Sequence, residues 1–235
     1  MRLDQYLKEK HNIQSRNKAS ELVKANKVLV NETPINKPSY KVLESDVVQI
    51  LQEEFYVSRA AYKLKYFLED INLDITNLKA LDIGSSTGGF TQILLEKKAQ
   101  KVTCIDVGSN QLHPLIKDDL RICMYENTDI RDFQSNEYFD LVTCDVSFIS
   151  ILNILPSIAK LAQDKIIILY KPQFEVGRNV KRDSKGVVTD QEAIQKARTE
   201  FLDRCNEYNW KLQKNLLSSL AGKSGNVEEL FYFTV

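Results

Sequence analysis

The sequence has few cysteines, no long apolar run and no excess of either charge. Its 32 basic residues balance its 32 acidic residues, so the overall charge predicts no affinity for polyanions, and any nucleic-acid site has to be local. No apolar segment approaches the roughly 20 residues that span a bilayer, and the first residues contain no apolar core of a signal peptide. These absences argue against secretion and membrane insertion. We expect a cytoplasmic protein without a membrane partner.

The four cysteines show neither C-x-x-C spacing nor the density of a secreted disulfide scaffold. Three of them, Cys104, Cys123 and Cys144, lie in apolar runs that are typical of strands. We expect all four, including Cys205, to be reduced residues of the core. No metal site is predicted.

Residues 1–50 differ from the rest of the chain in charge. They contain nine lysines and arginines and six acidic residues, a net charge of +3, with the excess before residue 30. Apolar residues at helical spacing predict two short helices, the second capped by Ser15, and short strands follow with a turn at Asn31 and Glu32. The pattern predicts a small α+β module, whose basic helix either binds a polyanion or is a solvated face.

From residue 60 onward the chain alternates between helices and strands. An amphipathic helix comes first, in AAYKLKYFLEDI. Strands are predicted in KALDIG, KVTCIDV, ICMYENTDI, YFDLVTCDV and KIIILY, and helices in FTQILLEKK and LNILPSIAKL. This alternation predicts an α/β fold with a mostly parallel, doubly wound sheet. The tail, WKLQKNLLSS and EELFYFTV, predicts two further strands and an antiparallel edge.

A glycine-containing turn, LDIGSSTGGFTQ, joins the first strand of this sheet to a helix. Its glycines do not match the G-x-G-x-x-G spacing of dinucleotide-binding proteins, although they would let a ligand approach the backbone closely. Asp106 follows Gly84 by 22 residues, about the separation expected of an acid that binds a ribose, and Asp129 follows the third strand. Acids after consecutive parallel strands predict a nucleotide-like cofactor, against the alternative of a packing turn without a ligand.

Four charged residues lie where predicted elements begin or end. Asp145 and Lys171 end two parallel strands, Glu228 starts the final strand, and Lys63 lies in the amphipathic helix. Each one alone is more simply explained as a surface lysine or a capping acid. Together, beside a cofactor crevice, they predict a set of reacting groups.

The glycine turn and the two strand-end acids resemble those of the class I, Rossmann-like S-adenosylmethionine-dependent methyltransferases. The resemblance implies that S-adenosylmethionine is the cofactor, that Asp106 holds its ribose and that Asp129 contacts its adenine. The residues that it assigns to cofactor binding are Asp82, Gly84, Ser85, Gly88, Gly89, Phe90, Asp106, Asp129 and Asp145.

Two further resemblances extend over the whole chain. RLDQYL, SRNKASELVKANKVLVNETPI and SDVVQI resemble S-four-type RNA-binding domains, although Glu32 stands where many members have glycine. The order Lys, Asp, Lys, Glu resembles the FtsJ-type ribose 2'-O-methyltransferases, and with YVSRAAYKL, CDVSFIS, KPQFEVGR, KGVV and SGNVEE the chain resembles the TlyA family. This implies an RNA-binding domain at 1–53, a linker at 54–59 and an FtsJ-like methyltransferase domain at 60–235.

The TlyA resemblance implies 2'-O-methylation of a cytidine in ribosomal RNA, with Lys63, Asp145, Lys171 and Glu228 as catalytic residues. Methyl transfer requires the ribose oxygen to lie in line with the sulfonium methyl as its proton leaves. Lys171 is expected to be the base or to position the hydroxyl, and Lys63 to stabilise negative charge on the oxygen. The acids would orient both lysines.

The predicted RNA-binding residues are Arg2, Arg16, Lys18, Lys24, Lys27, Arg59, Arg178, Lys181 and Arg182. The last three lie beside Lys171 on a basic loop with few apolar anchors, which either grips a phosphate backbone and becomes ordered on binding or is a solvated linker. The target nucleotide is expected to be flipped from its helix. The chain resembles the shorter members of the family, which favours 23S over 16S rRNA, in an assembled subunit.

Other chemistries and functions stay open. Methylation of an exocyclic amine commonly uses a D/N-P-P-[YF] pattern, where this chain has Asp145, Val146, Ser147 and Phe148. Methylation at cytosine C5 would need a thiolate such as Cys144, for which a core role is the simpler explanation. Two non-enzymatic hypotheses are a ribosome-assembly factor and a membrane-active haemolysin, and no oligomeric state is predicted.

Overall fold

The computed structural model describes residues 1–11, 13, 15–50 and 56–235, and the chain divides into two compact units, Met1–Phe55 and Tyr56–Val235. The end of the predicted first domain, with Leu51 of its last predicted strand, and the start of the predicted linker lie outside the described residues. The domain limits at residues 53 and 60 therefore stay predictions.

The first unit packs two helices and a three-stranded antiparallel sheet around one apolar core. Its elements are α1 (Leu3–Lys10), α2 (Arg16–Lys24), β1 (Val28–Val30), β2 (Thr33–Pro34) and β3 (Val48–Ile50). Ser15 caps α2 as predicted, since its Oγ accepts a hydrogen bond from the Lys18 N–H at 3.1 Å. Asn31 and Glu32 form the turn between β1 and β2 with φ of 49° and 66°. Glycine adopts this left-handed backbone without strain, which explains why glycine is common in this turn.

The second unit is a seven-stranded sheet with helices on both faces, which confirms the predicted fold class. The strand order is β6-β5-β4-β7-β8-β10-β9, and every neighbouring pair is parallel except the two that β10 forms. The elements are α3 (Arg59–Asp70), β4 (Lys79–Ile83), α4 (Gly89–Glu96), β5 (Lys101–Ile105), β6 (Ile122–Tyr125), β7 (Phe139–Cys144), a 3-10 helix (Ile151–Asn153), α5 (Leu155–Leu161), β8 (Ala162–Tyr170), α6 (Pro172–Glu175), α7 (Gln191–Glu207), β9 (Lys211–Leu217) and β10 (Glu229–Thr234).

Strand β8 is covered on both faces, which explains its unbroken apolar run. Ile166, Ile168 and Tyr170 belong to the core beneath α5 and α7. Ile167 and Leu169 point the other way, into the core beneath α3 and α4. The strand therefore occupies the middle of the unit, and the residue that follows it emerges at the edge of the sheet where ligands of α/β proteins bind.

All five predicted parallel strands and the antiparallel pair at the edge are present. The 17-residue helix α7 was not predicted. The thiols of Cys104, Cys144 and Cys205 are buried, as expected, and Cys123 is half-buried. Burial raises the pKa of the Cys144 thiol, which disfavours the thiolate that C5 methylation needs.

Candidate active site

The strand ends deliver three of the four predicted reacting residues to one edge of the sheet. Asp145 directly follows β7, and Lys171 directly follows β8. Glu228 directly precedes β10, which runs in the opposite direction and pairs with β8. Because β10 is reversed, its first residues lie at the edge where the parallel strands have their last.

Two ion pairs join these residues to Lys63 of α3. Lys63 Nζ lies 2.5 Å from Glu228 Oε2, and Lys171 Nζ lies 2.5 Å from Asp145 Oδ1. Both lysines are 8% exposed and Glu228 is 3% exposed. These four residues, named here the charged quartet, come together as the sequence predicted. Because they are largely desolvated, each charge depends on its partner.

Each ion pair has one neutral partner that the sequence did not single out. Lys171 Nζ donates to Ser147 Oγ at 3.1 Å, and Gln173 Nε2 donates to Glu228 Oε1 at 3.2 Å. The available signal was their presence in CDVSFIS and KPQFEVGR, the motifs that also contain Asp145 and Lys171.

A cavity of about 490 Å³ adjoins the charged quartet. It is bounded by the glycine turn, by three members of the quartet and by two cations at the rim. The residues concerned are Gly84, Ser85, Gly89, Phe90, Lys63, Asp145, Lys171, Arg59 and Lys223. Cavities of this size hold small ligands, so the site has space for a cofactor beside the reacting groups.

Two glycines are required by the backbone of the turn. Gly84 has a φ of +77°, and a Cβ there would lie 2.8 Å from the carbonyl oxygen of Asp145. Gly88 has a φ of +91° and precedes the first residue of α4. Both adopt left-handed backbone that other residues rarely take, so the turn can pack against Asp145 and start the helix only with glycine here.

Asp106 fastens the glycine turn to the loop after β5. Its Oδ2 accepts a hydrogen bond from the Ser86 N–H at 2.8 Å, and its Oδ1 accepts from the Gly108 N–H at 2.7 Å and from Gln111 Nε2 at 3.1 Å. Of these partners, only the Gln111 side chain can move away without disturbing the backbone. A ribose contact for Asp106, which stays a prediction, would use the oxygen that Gln111 now holds.

Asp82 lies beneath the turn and has no exposed surface. Its carboxylate accepts hydrogen bonds from Thr91 Oγ1 at 2.6 Å and from Thr143 Oγ1 at 2.9 Å, which links β4 to α4 and β7. Burial raises the pKa of Asp82 to about 6. In this structure the acid holds the turn from below, and the direct cofactor contact predicted for Asp82 stays a prediction.

Asp129 is engaged by a neighbouring arginine. Arg131 donates from Nη2 to Oδ2 at 2.6 Å and from Nε to Oδ1 at 3.0 Å. This forked contact lowers the pKa of Asp129. The adenine contact predicted for Asp129 stays a prediction.

The predicted basic loop is a folded hairpin in this structure. Arg182 bridges to Val188, a residue that is 4% exposed, and donates from Nη2 to the carbonyl oxygens of Gln173 at 2.9 Å and Gly177 at 3.1 Å. Val188 is the one buried apolar residue of this segment, which agrees with the predicted scarcity of apolar anchors, and the Arg182 guanidinium adds polar contacts; ordering on RNA binding stays a prediction. Arg178 and Lys181 remain exposed, as RNA contacts would be.

In the first unit, Asp4 holds two of the predicted RNA-binding arginines. Arg2 donates to both carboxylate oxygens, at 3.1 and 2.9 Å, and Arg16 donates to Oδ2 at 3.1 Å. The two guanidinium groups, above all that of Arg2, lower the pKa of Asp4. Lys18 and Lys24 are exposed and Lys27 is half-buried. This unit therefore carries its cations on and beside its two helices.

Phe148 lies close to the quartet with an unusual backbone. It is 92% exposed, and its φ of 67° lies in the left-handed region. Its ring centroid is 5.3 Å from that of Phe174, and the preceding residue is Ser147, which bonds Lys171. The Phe148 ring is thus an exposed aromatic surface next to a residue that contacts the quartet.

Comparison with known proteins agrees with this architecture. The model of the FtsJ-like methyltransferase family matches residues 56–234, and that of the S4 domain matches residues 1–48. The chain is 47% identical to the 23S rRNA (cytidine-2'-O)-methyltransferase TlyA of Campylobacter jejuni, with 99% of each chain covered. The chain belongs to the TlyA family.

Other TlyA relatives differ in their names. The chain is 33% identical to Hemolysin A of Brachyspira hyodysenteriae, with both chains fully covered. A solved structure of a candidate hemolysin from Streptococcus thermophilus has a TM-score of 0.71 and 30% identity, and covers 100% of this chain and 88% of its own. Among the described residues of the TlyA-family chain, no helix has the length and apolar character to cross a membrane.

Proposed function

We propose that this TlyA-family chain transfers a methyl group from S-adenosylmethionine to the 2'-hydroxyl of a cytidine in ribosomal RNA. The observation that carries the proposal is the charged quartet beside the glycine-turn cavity. It supplies two cations and two anions where a hydroxyl oxygen would meet a cofactor held by the turn. The name of the Campylobacter jejuni relative supports the same reaction.

The residues present fit S-adenosylmethionine. The cavity is lined by Gly84, Ser85, Gly89 and Phe90. Asp106, the acid after the second parallel strand, accepts a hydrogen bond from the backbone of the same turn. We propose that these groups hold the cofactor, with Gly88 shaping the turn and Asp129 near the adenine. When bound, the cofactor supplies a methyl group on a positively charged sulfur.

The geometry of Lys171 fits positioning better than proton abstraction. Its Nζ donates a hydrogen bond to Ser147 Oγ, lies 2.5 Å from Asp145 Oδ1 and borders the cavity in which an acceptor oxygen would lie. A lysine in this place can donate a further hydrogen bond to the ribose oxygen. We propose that Lys171 and Lys63 hold the ribose oxygen, that the Asp145 carboxylate accepts the hydroxyl proton as the methyl group moves from sulfur to oxygen, and that Glu228 orients Lys63.

RNA binding is assigned to exposed cations and one aromatic ring. In the second unit these are Arg59, Arg178 and Lys181, and in the first unit the arginines held by Asp4 with Lys18 and Lys24, to which the half-buried Lys27 is added. Phe148 offers a surface on which a flipped base can stack. We propose that the substrate is 23S rRNA within an assembled subunit, in the cytoplasm.

The test is methyl transfer from labelled S-adenosylmethionine to unmodified ribosomal subunits, followed by mapping of the ribose modification. Wild type should produce a 2'-O-methylcytidine in 23S rRNA, Lys171→Ala should not, and Lys165→Ala, from the start of the same strand β8, should behave as wild type. No transfer to either subunit, despite binding of cofactor and RNA, would contradict the proposal and favour an assembly factor.

The relative named Hemolysin A raises a second candidate function. A membrane-active chain should release dye from liposomes without any cofactor. If the purified protein released dye from liposomes and did not methylate ribosomal subunits, the membrane-active function would be favoured over the methyltransferase.

A further inference from the structure

Gln173 connects the charged quartet to the basic hairpin. It lies in α6, two residues after Lys171, and its Nε2 donates to Glu228 Oε1 at 3.2 Å. Its main-chain carbonyl accepts a hydrogen bond from Arg182 Nη2 at 2.9 Å. The side chain therefore faces the quartet while the backbone is fixed by the hairpin.

The contact with Gln173 completes the restraint on Glu228. Lys63 holds Oε2 at 2.5 Å and Gln173 holds Oε1 at 3.2 Å, so each carboxylate oxygen has its own donor. On the far side the backbone of Gly222 is so close that a Cβ there would lie 2.5 Å from Oε1. Both carboxylate oxygens are therefore held in the orientation that faces the Lys63 ammonium.

The amide orientation of Gln173 follows from the acid it faces. If the amide were reversed, its carbonyl oxygen would meet Glu228 Oε1, and two acceptors cannot form a hydrogen bond. In the present orientation Oε1 of Gln173 is buried and has no hydrogen-bond partner among the described protein atoms. The amide N–H group of Gln173 thus has a partner in the quartet, whereas its buried carbonyl oxygen has none. This indicates that the hydrogen bond to Glu228 is the functional contact of the side chain.

We propose that Gln173 is a positioning residue for methyl transfer, which acts on Lys63 through Glu228. The proposal rests on the function proposed above. Gln173 does not reach the reacting atoms; it fixes the acid that orients one of the two cations at the ribose oxygen. Arg182, which is also predicted to bind RNA, donates the hydrogen bond that holds the backbone of Gln173.

Gln173→Met tests the proposal, because it keeps the length of the side chain and removes the amide. We expect the turnover number to fall about tenfold, with the KM for ribosomal subunits and for S-adenosylmethionine changed by less than about twofold. Gln213→Met, on the exposed strand β9, is the matched control and should behave as wild type. Wild-type turnover in Gln173→Met would overturn the proposal.

A double-mutant cycle with Glu228→Gln separates positioning from a general packing defect. If Gln173 acts through Glu228, Gln173→Met should change the residual single-turnover rate of Glu228→Gln by less than about twofold. In the same cycle, the shift of the urea-unfolding midpoint in the double variant should differ from the sum of the shifts in the two single variants. A tenfold loss in both backgrounds, or additive midpoints, would overturn the proposal.

The unfolding measurements do not depend on enzymatic activity. They therefore distinguish a failure of the role proposed for Gln173 from a failure of the proposed methyltransferase function. Additive effects in an active enzyme would remove only the role of Gln173. A wild-type chain that methylates no ribosomal substrate would remove the proposed function and the positioning role with it, while non-additive unfolding would still establish that Gln173 holds Glu228.

Discussion

Tyr170 and Glu229 face each other across the antiparallel pair of β8 and β10. The residue after Tyr170 is Lys171 and the residue before Glu229 is Glu228, so both leave the sheet at the same edge. A parallel strand in the place of β10 would have brought its last residues there instead of its first. The reversed strand is thus what places a second acid among the strand-end residues.

Breaking the buried pair of Lys63 and Glu228 should cost more stability than removing both charges. Lys63→Met leaves the Glu228 carboxylate without its ammonium, and an uncompensated charge of this kind typically costs about 3–5 kcal/mol. The double variant Lys63→Met/Glu228→Gln removes both charges and should recover at least half of that loss, while methyl transfer stays abolished. Urea unfolding measures the free energies. A double variant no more stable than Lys63→Met would contradict a desolvated ion pair.

Asp82→Asn should flatten the pH dependence of stability in mildly acidic solution. Burial raises the pKa of Asp82 from 3.8 to about 6, so the folded state keeps a proton that the unfolded state has already lost. The free energy of unfolding should therefore fall as the pH rises through this window, by about 3 kcal/mol in total. Asp118→Asn, at an exposed acid, is the control and should keep the wild-type profile. Equal slopes for Asp82→Asn and wild type would rule out the raised pKa.

Phe148→Gly should separate function from stability. Glycine removes the strain of the left-handed backbone at this position, which stabilises the fold by about 1 kcal/mol. The substitution also removes the ring contact with Phe174, which costs about 0.5–1.5 kcal/mol, so the two effects nearly cancel. We expect the free energy of unfolding to change by no more than about 1 kcal/mol, while methyl transfer falls at least tenfold because the base loses its stacking surface, which is worth about 1–3 kcal/mol. Phe148→Tyr keeps the ring and should retain transfer. Full activity in Phe148→Gly would exclude a stacking role.

Two arginines of the hairpin should respond differently to substitution. Arg178 is exposed, so Arg178→Ala should weaken RNA binding and reduce the slope of log affinity against log salt by about 1. Arg182 donates to carbonyl oxygens of its own chain, so Arg182→Lys should lower turnover and leave the salt slope unchanged. RNA-binding titrations at several salt concentrations measure the slope, and methyl-transfer assays at saturating substrate measure the turnover number. A reduced slope in Arg182→Lys would restore its predicted role as a phosphate contact.

The strands of the second unit were predictable because they are buried on both faces, as in β8, and leave continuous apolar runs. Helix α7 was missed because only Phe201 and Cys205 of its 17 residues are buried, so its apolar stripe is sparse. Its start had a readable signal: Asp190 caps it by accepting a hydrogen bond from the Ala193 N–H at 3.0 Å.

The residues of the quartet were predictable from their places at strand ends, but their pairing was not. Which lysine meets which acid depends on the β8–β10 register, and nothing near Glu228 in the sequence points to Gln173, 55 positions away. Asp82 was assigned to the cofactor by resemblance and Arg182 to RNA by its charge. The sequence could not show that Asp82 is fully buried or that Arg182 donates to the carbonyl oxygens of Gln173 and Gly177.

The order of the last two strands has a consequence for when the protein becomes active. β9 precedes β10 in the chain yet joins the sheet only through it, since β10 lies between β8 and β9. During synthesis, β9 emerges first and has no place in the sheet until β10 inserts beside β8. The same insertion brings Glu228 to Lys63. The sheet and the charged quartet therefore both stay incomplete until β10 has joined β8.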